Sequence, residues 1–249
     1  MISAMIQNKN DIKEVKKREA KRTEFVSIVS HQLRTPLSIV RGYLEALLNQ
    51  DQGPLTPDQK EYIAEALQKN NTMIQMVNDY LSAAQLDDQK IEMHVSATQI
   101  EDIVEEIVQS LSPFATASNC ELHFEKPAQP LPSLMIDPIK IKQVIENVVA
   151  NAIKYTGRGG RVTIRLSAHD DGVEFTCEDT GIGIPQQQQA DIFTRFFRGH
   201  NVIGKDTQGS GLGLFIAKVM VDAAHGRIWF ESQEGKGTTM HVFLPQKTE

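Results

Sequence analysis

Two long runs of apolar residues at helical spacing, separated by one breaker, constrain how the first third of this chain can fold. The first run extends from about residue 10 to residue 49, and only Pro36 interrupts it. The breaker that follows is Asp51-Gln52-Gly53-Pro54. At about 100° per residue the apolar side chains of the first run share one broad arc, formed by Phe25, Val29, Leu33, Pro36, Val40, Leu44 and Leu47. The pattern predicts a long helix that Pro36 bends.

The second run begins at a strong helix start signal. Thr56 is the expected N-cap, Pro57 takes the first helical position, and Gln59 closes a capping box. The apolar stripe of this helix fades near Leu86 and consists of Ile63, Leu67, Ile74, Val77 and Leu81. Two such helices cannot bury both stripes alone. The sequence therefore predicts a helical hairpin that dimerises into a four-helix bundle.

One histidine of the first helix lies away from its apolar arc. His31 lies roughly opposite the arc, with Ser27, Thr35 and Ser38 above and below it. At neutral pH an imidazole has a free lone pair and can serve as nucleophile, base or ligand. From the helix alone, a solvated surface histidine is the alternative. Metal binding is disfavoured because the i±4 neighbours are Ser27 and Thr35.

Composition limits the remaining classes of protein. With 249 residues, 40% apolar and 23% charged, the chain fits a soluble globular protein of one large or two ordinary domains. A net charge of −6 gives no reason to expect nucleic-acid binding. Cys120 and Cys177 are too few for a disulfide framework and fit a reducing compartment.

The sequence predicts neither a membrane span nor a signal peptide. No run of about 18 apolar residues occurs, and the N-terminus lacks an apolar signal region. The basic stretch from Lys13 to Arg22 is either a solvated helix face or a juxtamembrane segment. We therefore expect a cytoplasmic protein, or the cytoplasmic portion of an inner-membrane receptor.

From about residue 90 the pattern changes to mixed helices and strands. Predicted helices cover Ile100 to Leu111, Asp137-Pro138 to Tyr155, and Leu212 to Ala224. The predicted strands are Ile91 to Val95, Cys120 to Phe124, Arg161 to Leu166, Val173 to Cys177, Arg227 to Ser232, and Thr238 to Leu244. Helices that cover one face of a mixed, largely antiparallel sheet make this an α+β domain.

Three polar side chains share one face of the helix that Asp137 opens. Asn147, Asn151 and Lys154 follow each other at i, i+4 and i+7. Amide oxygens suit Mg²⁺ and an ammonium group suits a phosphate, so the stripe fits a metal–phosphate group. A solvated amide stripe is the alternative.

Two glycine-containing segments follow further along the chain. Asp179-Thr180-Gly181-Ile182-Gly183-Ile184-Pro185 comes directly after a strand, where a carboxylate can accept from the exocyclic amine of a flat ligand. Gln208-Gly209-Ser210-Gly211-Leu212-Gly213-Leu214 opens a helix and presents backbone N–H groups to a phosphate. This second segment is neither a Walker A loop nor a Rossmann turn.

The order and spacing of these motifs resemble those of bacterial sensor histidine kinases. The sequence Ser-His-Gln-Leu-Arg-Thr-Pro-Leu around His31 is similar to the H box, and the stretch from Asn147 to Tyr155 to the N box. Asp179 to Gly183 resembles the G1 box, Ile192 to Arg198 the F box, and Gly209 to Leu214 the G2 box. The resemblance covers roughly residues 23 to 249. It implies a dimerisation and phosphotransfer hairpin followed by an α/β-sandwich, Bergerat-type ATP-binding domain, as in Hsp90, gyrase and MutL proteins.

The resemblance also implies roles for the nucleotide-binding residues. Asn151 ligates Mg²⁺ with Asn147 beside it, and Lys154 meets the phosphates of ATP. Tyr155 lines the nucleotide pocket, and Asp179 receives the adenine amino group. The remaining nucleotide-binding candidates lie in the F box and the glycine loops and are Phe193, Gly181, Gly183, Gly209, Gly211, Leu212 and Gly213.

The catalytic roles follow from the same resemblance. His31 takes the γ-phosphoryl group from ATP and passes it to an aspartate in the receiver domain of a response regulator. Arg198 is the candidate for stabilising the transferred charge. Thr35 stands where the family positions a water that dephosphorylates the regulator.

One position departs from the family pattern. The residue after the phosphoacceptor is commonly Glu or Asp, which can take the Nδ1 proton of the imidazole, whereas this chain has Gln32. An amide is not a base at neutral pH, so we expect slower autophosphorylation than an acidic residue would support. Gln32 can still orient the ring by hydrogen bonding.

The sequence thus predicts an ATP-dependent protein-histidine kinase core. Its expected parts are a helical linker over residues 1–22, a dimerisation and phosphotransfer domain over 23–87, an interdomain linker over 88–98 and an ATP-binding domain over 99–249. Two alternatives stay open: a Bergerat-type ATPase without a phosphohistidine, and a degenerate kinase that acts mainly as a phosphatase or a dimeric binding module.

Overall fold

A computed structural model describes residues 32–49, 53–85, 92–199 and 210–246. Backbone contacts divide the chain into two compact units, a helical hairpin and an α/β domain that begins at Lys90. The predictions for His31 and Gly209 lie outside the described residues, as does the predicted helix before residue 32. The limits predicted for the two linkers stay predictions.

The hairpin consists of two helices. The described part of α1 is helical over residues 32–48, and α2 covers Pro57–Gln85. The predicted capping box is confirmed, because the Thr56 backbone N–H donates to Gln59 Oε1 at 2.9 Å and the Gln59 N–H donates to Thr56 Oγ1 at 3.3 Å. Many large apolar side chains of this unit remain exposed, namely Leu33, Ile39, Val40, Tyr43, Tyr62, Met73 and Tyr80.

The second unit begins with short elements. Strand β1 (Ser96–Thr98) precedes helix α3 (Ile100–Ala117), strand β2 (Glu121–Glu125) and strand β3 (Leu134–Ile136). β1 and β3 pair antiparallel as a two-stranded sheet. This sheet ends where α4 (Pro138–Thr156) begins.

The remaining elements build the main sheet. Strands β4 (Arg161–His169) and β5 (Gly172–Asp179) form a hairpin, followed by a 3₁₀ helix at Gln186–Asp191. Helix α5 (Gly213–Ala223) leads to β6 (Arg227–Gln233) and β7 (Gly237–Pro245). The strand order is β2-β4-β5-β7-β6, and only β2 and β4 are parallel. The predicted mixed, largely antiparallel sheet is confirmed.

The core of this unit lies between the sheet and its three helices. α4 buries an apolar arc that includes Ile141, Ile145 and Val149, each 0% exposed. Alternate residues of β5 are equally buried, with Val173, Phe175 and Cys177 at 0%. Burial of one helix stripe against one sheet face is what the α+β prediction requires. The fold class is confirmed.

Three local predictions were wrong. Residues 92–95 form no strand, and the first strand is instead β1. Helix α3 does not end near Leu111 but continues through Pro113 to Ala117. The Pro-rich segment after β2 leads into β3, which has only three residues and which the alternation pattern missed.

Candidate nucleotide-binding site

The amide stripe of α4 is positioned by the cap of that helix. Asp137 Oδ1 accepts from the backbone N–H groups of Ile139 and Lys140, each at 3.1 Å, and Pro138 fills the first helical position. Asp137 Oδ2 accepts from His94 N at 2.9 Å and Lys140 Nζ at 2.8 Å. Burial opposes ionisation of Asp137, but these hydrogen bonds outweigh it and hold its pKa below the ordinary value. The cap fixes where α4 begins.

Asn147, Asn151 and Lys154 are half-buried, on the side of α4 away from its fully buried arc. Asn147 Nδ2 donates to the carbonyl of Gly213 at 3.4 Å, so the stripe meets the first residue of α5. Lys154 Nζ lies 5.4 Å from the centroid of the Tyr155 ring. The structure therefore brings Asn147 of the N box into contact with Gly213 of the G2 box.

The N-terminus of α5 has no side-chain cap. Leu212 stands at the N-cap position, and its side chain is 0% exposed. The helix begins with the Ile216 N–H donating to the Leu212 carbonyl at 2.9 Å. Backbone N–H groups of an uncapped first turn, together with the helix dipole, favour an anion such as phosphate.

Asp179 ends β5 in a nearly buried position. The residue is 8% exposed, and its Oδ1 accepts from the Gly181 N–H at 2.8 Å and the Thr238 N–H at 3.3 Å. Burial raises the pKa of Asp179 to about 6, although the two backbone hydrogen bonds act in the opposite direction. Because both of these bonds end on Oδ1, Oδ2 is the oxygen that can accept from an exocyclic amine.

The G1 glycines hold the loop after Asp179 against its neighbours. Gly183 has φ +62°, and a Cβ at this position would collide with the carbonyl of Gln233. The Ile182 N–H donates to the carbonyl of Tyr155 at 3.1 Å, which ties the loop to the end of α4. The loop is thereby fixed between α4 and the β6–β7 turn.

The glycine loop before α5 packs against the F-box segment. Gly211 has φ +68°, and a Cβ there would lie 2.8 Å from the carbonyl carbon of Phe196. Phe193 is half-buried and meets Phe230 edge-on, with ring centroids 6.0 Å apart. Arg198 is half-buried in the same segment. Gly211 of the G2 box therefore lies directly against the backbone of the F-box segment.

A polar network that sequence reasoning missed supports the G1 loop. Ser232 Oγ accepts from the Ile184 N–H at 2.8 Å, donates to the Gly237 carbonyl at 3.0 Å and lies 2.8 Å from Thr238 Oγ1. Gln189 Nε2 donates to the carbonyls of Ile184 at 3.0 Å and Ser232 at 3.1 Å. No short motif marks these residues. The strand register that pairs Asp179 with Thr238 across β5 and β7 is likewise absent from any local sequence pattern.

Gln32 and Thr35 belong to the other unit. Both are exposed on α1, three residues apart and hence on neighbouring positions of one helix face. Arg34 lies between them in sequence and is held by Asn78 of α2, whose Oδ1 accepts from Arg34 Nε at 3.1 Å and Nη2 at 2.7 Å.

Family models account for both units. Residues 21–89 match the His Kinase A (phospho-acceptor) domain, and residues 136–248 match the histidine kinase-, DNA gyrase B- and HSP90-like ATPase. The chain belongs to the sensor histidine kinases. The kinase core therefore consists of a phosphoacceptor domain followed by an ATPase-type domain, as predicted.

Individual relatives agree with this assignment. The kinase core is 35% identical over 246 residues to the sensor histidine kinase WalK of Bacillus subtilis, covering 96% of this chain and 39% of WalK. It is 32% identical over 230 residues to the circadian input-output histidine kinase CikA of Synechococcus elongatus, covering 92% and 30%. The chain thus spans less than half the length of these relatives.

One solved structure of a histidine kinase is similar in fold. Full-length ShkA in complex with AMPPNP superposes with a TM-score of 0.72 and 29% identity, over 92% of this chain and 47% of ShkA. That relative was crystallised with an ATP analogue. In the part of our chain that the structure describes, no helix is long and apolar enough to cross a membrane.

Proposed function

We propose that this chain uses ATP to phosphorylate His31 and passes the phosphoryl group to an aspartate of a response-regulator receiver domain. One observation supports His31 as the residue that accepts the phosphoryl group. The chain has seven histidines, and His31 is the one within residues 21–89, the segment that matches the phosphoacceptor domain. A phosphoacceptor domain needs an acceptor, and this segment offers a single imidazole.

The donor site is the part of the α/β domain that carries Asp179, Asn147 and Gly213, of which Asn147 and Gly213 are in contact. Oδ2 of Asp179 accepts the amino group of adenine, and the first turn of α5 holds phosphate oxygens through its N–H groups. Lys154, one turn beyond Asn151 on α4, supplies positive charge to the phosphates. Arg198 is the proposed stabiliser of the charge that moves with the γ-phosphoryl group.

The residues of the α4 stripe also fit a Mg²⁺ ion. Asn147 and Asn151 provide neutral hard oxygens one turn apart, which is the donor type that Mg²⁺ shares with substrate phosphates. The ion, when bound with ATP, neutralises phosphate charge. Asn151 is the proposed ligand, with Asn147 beside it, whose Nδ2 donates to the Gly213 carbonyl.

The transfer itself is a displacement at phosphorus. The lone pair of the His31 imidazole attacks the γ-phosphorus, the bond to the β–γ bridging oxygen breaks, and ADP leaves. The imidazole then loses its remaining N–H proton to water, because Gln32 is not a base. In the second step a receiver aspartate forms a P–O bond while the P–N bond to His31 breaks.

A second candidate function rests on Gln32. If loss of the acidic neighbour removes most transfer activity, the chain acts mainly as a phosphatase of its regulator. Thr35 would then position the attacking water. Both candidate functions include dimerisation through the hairpin. Both also assume a cytoplasmic location, which stays a prediction.

The deciding experiment compares the natural chain with His31→Ala and His225→Ala after incubation with labelled ATP and Mg²⁺. His225 is exposed and lies in the α/β domain, so it controls for nonspecific labelling. We expect acid-labile, base-stable label on the natural chain and on His225→Ala, and none on His31→Ala. Equal labelling of all three would refute the acceptor assignment. ATP binding without any label would favour the phosphatase.

A further inference from the structure

The hairpin buries polar residues where a helical pair ordinarily buries apolar ones. Among the hairpin side chains that the structure describes, Asn70 and Asp79 are the buried ones, while seven large apolar side chains are exposed. Asn70 is 1% exposed, on the side of α2 that faces α1. A carboxamide is costly to bury unless its hydrogen-bonding groups are satisfied.

Only one end of the Asn70 carboxamide is satisfied within the described residues. Nδ2 donates to the main-chain carbonyl of Leu37 at 2.9 Å. A carbonyl oxygen has two lone pairs, so Leu37 can accept this bond in addition to a helical one. Asn70 Oδ1 is buried and has no hydrogen-bond partner in that part of the chain. A leucine would fill the same space without this cost, so stability alone does not explain an asparagine here.

The contact between Asn70 and Leu37 lies next to the proline that interrupts the hydrogen bonding of α1. Pro36 has no N–H, and its ring clashes with the carbonyl one turn earlier, so the helix loses a hydrogen bond there. Arg34, before Pro36, is held by Asn78, and Leu37, after Pro36, is held by Asn70. The two asparagines of α2 therefore hydrogen-bond to α1 on both sides of the proline.

We propose that Asn70 is a positioning residue for phosphoryl transfer, which fixes the course of α1 at Pro36 and thereby the placement of the phosphoacceptor. His31 precedes Pro36 by five residues, so a change of helix direction at the proline moves the acceptor imidazole relative to the rest of the hairpin. Asn70 touches neither ATP nor His31 in this proposal. It acts through the Leu37 carbonyl, and the proposal rests on the proposed function for its kinetic readout.

The test compares Asn70→Leu with the natural chain, using Asn71→Ala as a control at the exposed neighbouring position. We expect Asn70→Leu to unfold at an unchanged or higher temperature and to bind ATP within twofold of the natural chain. Its initial rate of His31 labelling should fall at least tenfold. Asn71→Ala should stay within twofold in all three measurements. A labelling rate of Asn70→Leu within twofold would show that Asn70 only packs, and the proposal would be wrong.

A double substitution separates positioning from simple packing. In a Pro36→Ala background the helix is continuous, so Asn70→Leu should reduce the labelling rate by less than threefold. The same tenfold loss in both backgrounds would contradict an action through the proline. If Asn70→Leu does not fold cooperatively, Asn70→Ala takes its place in both backgrounds.

Hydrogen exchange provides a readout that does not require phosphorylation. Release of Leu37 should speed amide exchange at residues 37–41 of α1 at least fivefold, with no change in β4 or β5. Unchanged exchange would contradict the proposal even if the natural chain carried no label. Absence of label on the natural chain alone would refute the proposed function and leave the exchange result to decide the role of Asn70.

Discussion

The buried carboxyl group of Asp179 lowers the stability of the α/β domain at neutral pH. Its folded pKa of about 6 lies above the ordinary value of 3.8, so the folded domain favours the protonated form. Between these two pH values the folded state binds more protons than the unfolded one, and stability therefore rises as the pH falls. At pH 7 the ionised group lowers the stability of the domain, by about 3 kcal/mol for a shift of about 2 pKa units.

We predict that Asp179→Asn stabilises the nucleotide-free α/β domain at pH 7 by about 1–2 kcal/mol, since a neutral amide keeps the Oδ1 contacts without the buried charge. The gain should shrink as the pH falls from 7 to 5, while ATP binding is lost. The single tryptophan, Trp229 in β6, reports unfolding of this domain by its fluorescence in urea.

Asp137→Asn is the matched control, because the pKa of Asp137 is shifted downwards in the folded state. Its substitution should lower stability at pH 7 and cost less as the pH approaches the ordinary pKa of a carboxyl group. Changes of the same sign for both variants would contradict the assigned environment of Asp179.

Gln32 carries a kinetic prediction at the same scale. We expect Gln32→Glu to raise the rate of His31 labelling by about tenfold or more, because a positioned general base contributes about 10²–10⁴-fold. Gln32 is exposed on α1, so a carboxylate there should leave the unfolding temperature nearly unchanged. Labelling from ATP measures the rate, and no gain would show that this residue does not limit proton removal.

Single residues show what local sequence can and cannot predict. Asp179 could be singled out because it directly precedes a glycine motif. Thr238, which donates its N–H to Asp179, lies 59 residues away and carries no motif of its own. A contact of this kind depends on strand register, which a local pattern does not contain.

At the scale of elements, the G1 loop is held by β6 and the 3₁₀ helix rather than by its own glycines alone. Ser232 and Gln189 make their hydrogen bonds to main-chain atoms of Ile184, next to the glycine turn. The run Gln186 to Gln189 has too little pattern to signal this contact in the sequence. Long periodic elements such as α2 and α4 were predictable, whereas the three-residue strands β1 and β3 were not, because they are shorter than the alternation that identifies a strand.

We predict that Ser232→Ala raises the KM for ATP about tenfold with kcat within twofold, because the loop next to the proposed adenine site loosens while the reacting groups keep their chemistry. Gln189→Ala should act in the same direction. Gln187→Ala, at an exposed position of the same 3₁₀ helix, should change neither constant. Initial rates of labelling over a range of ATP concentrations measure both constants, and a fall in kcat with unchanged KM would contradict this role.

At the scale of the whole molecule, the two units differ in how much of their apolar surface they bury. The α/β domain encloses its apolar side chains within one chain, whereas the hairpin leaves Leu33 46% and Val40 45% exposed on the apolar arc of α1. Exposed apolar residues in a contiguous helix stripe mark an interface. An antiparallel helical pair with two such stripes can bury both of them by packing against a second copy of itself.

We therefore predict that the chain is a dimer in sedimentation equilibrium and that Val40→Glu weakens the dimer at least tenfold, since a carboxylate would be buried in the shared core. Ser38→Glu introduces the same charge two residues away at an exposed polar position and should leave the association unchanged. ATP binding should be equal in both variants, because the proposed nucleotide site consists of residues of the α/β domain. A monomeric natural chain would contradict the predicted bundle, and equal effects of the two substitutions would show that the apolar arc of α1 is not the interface.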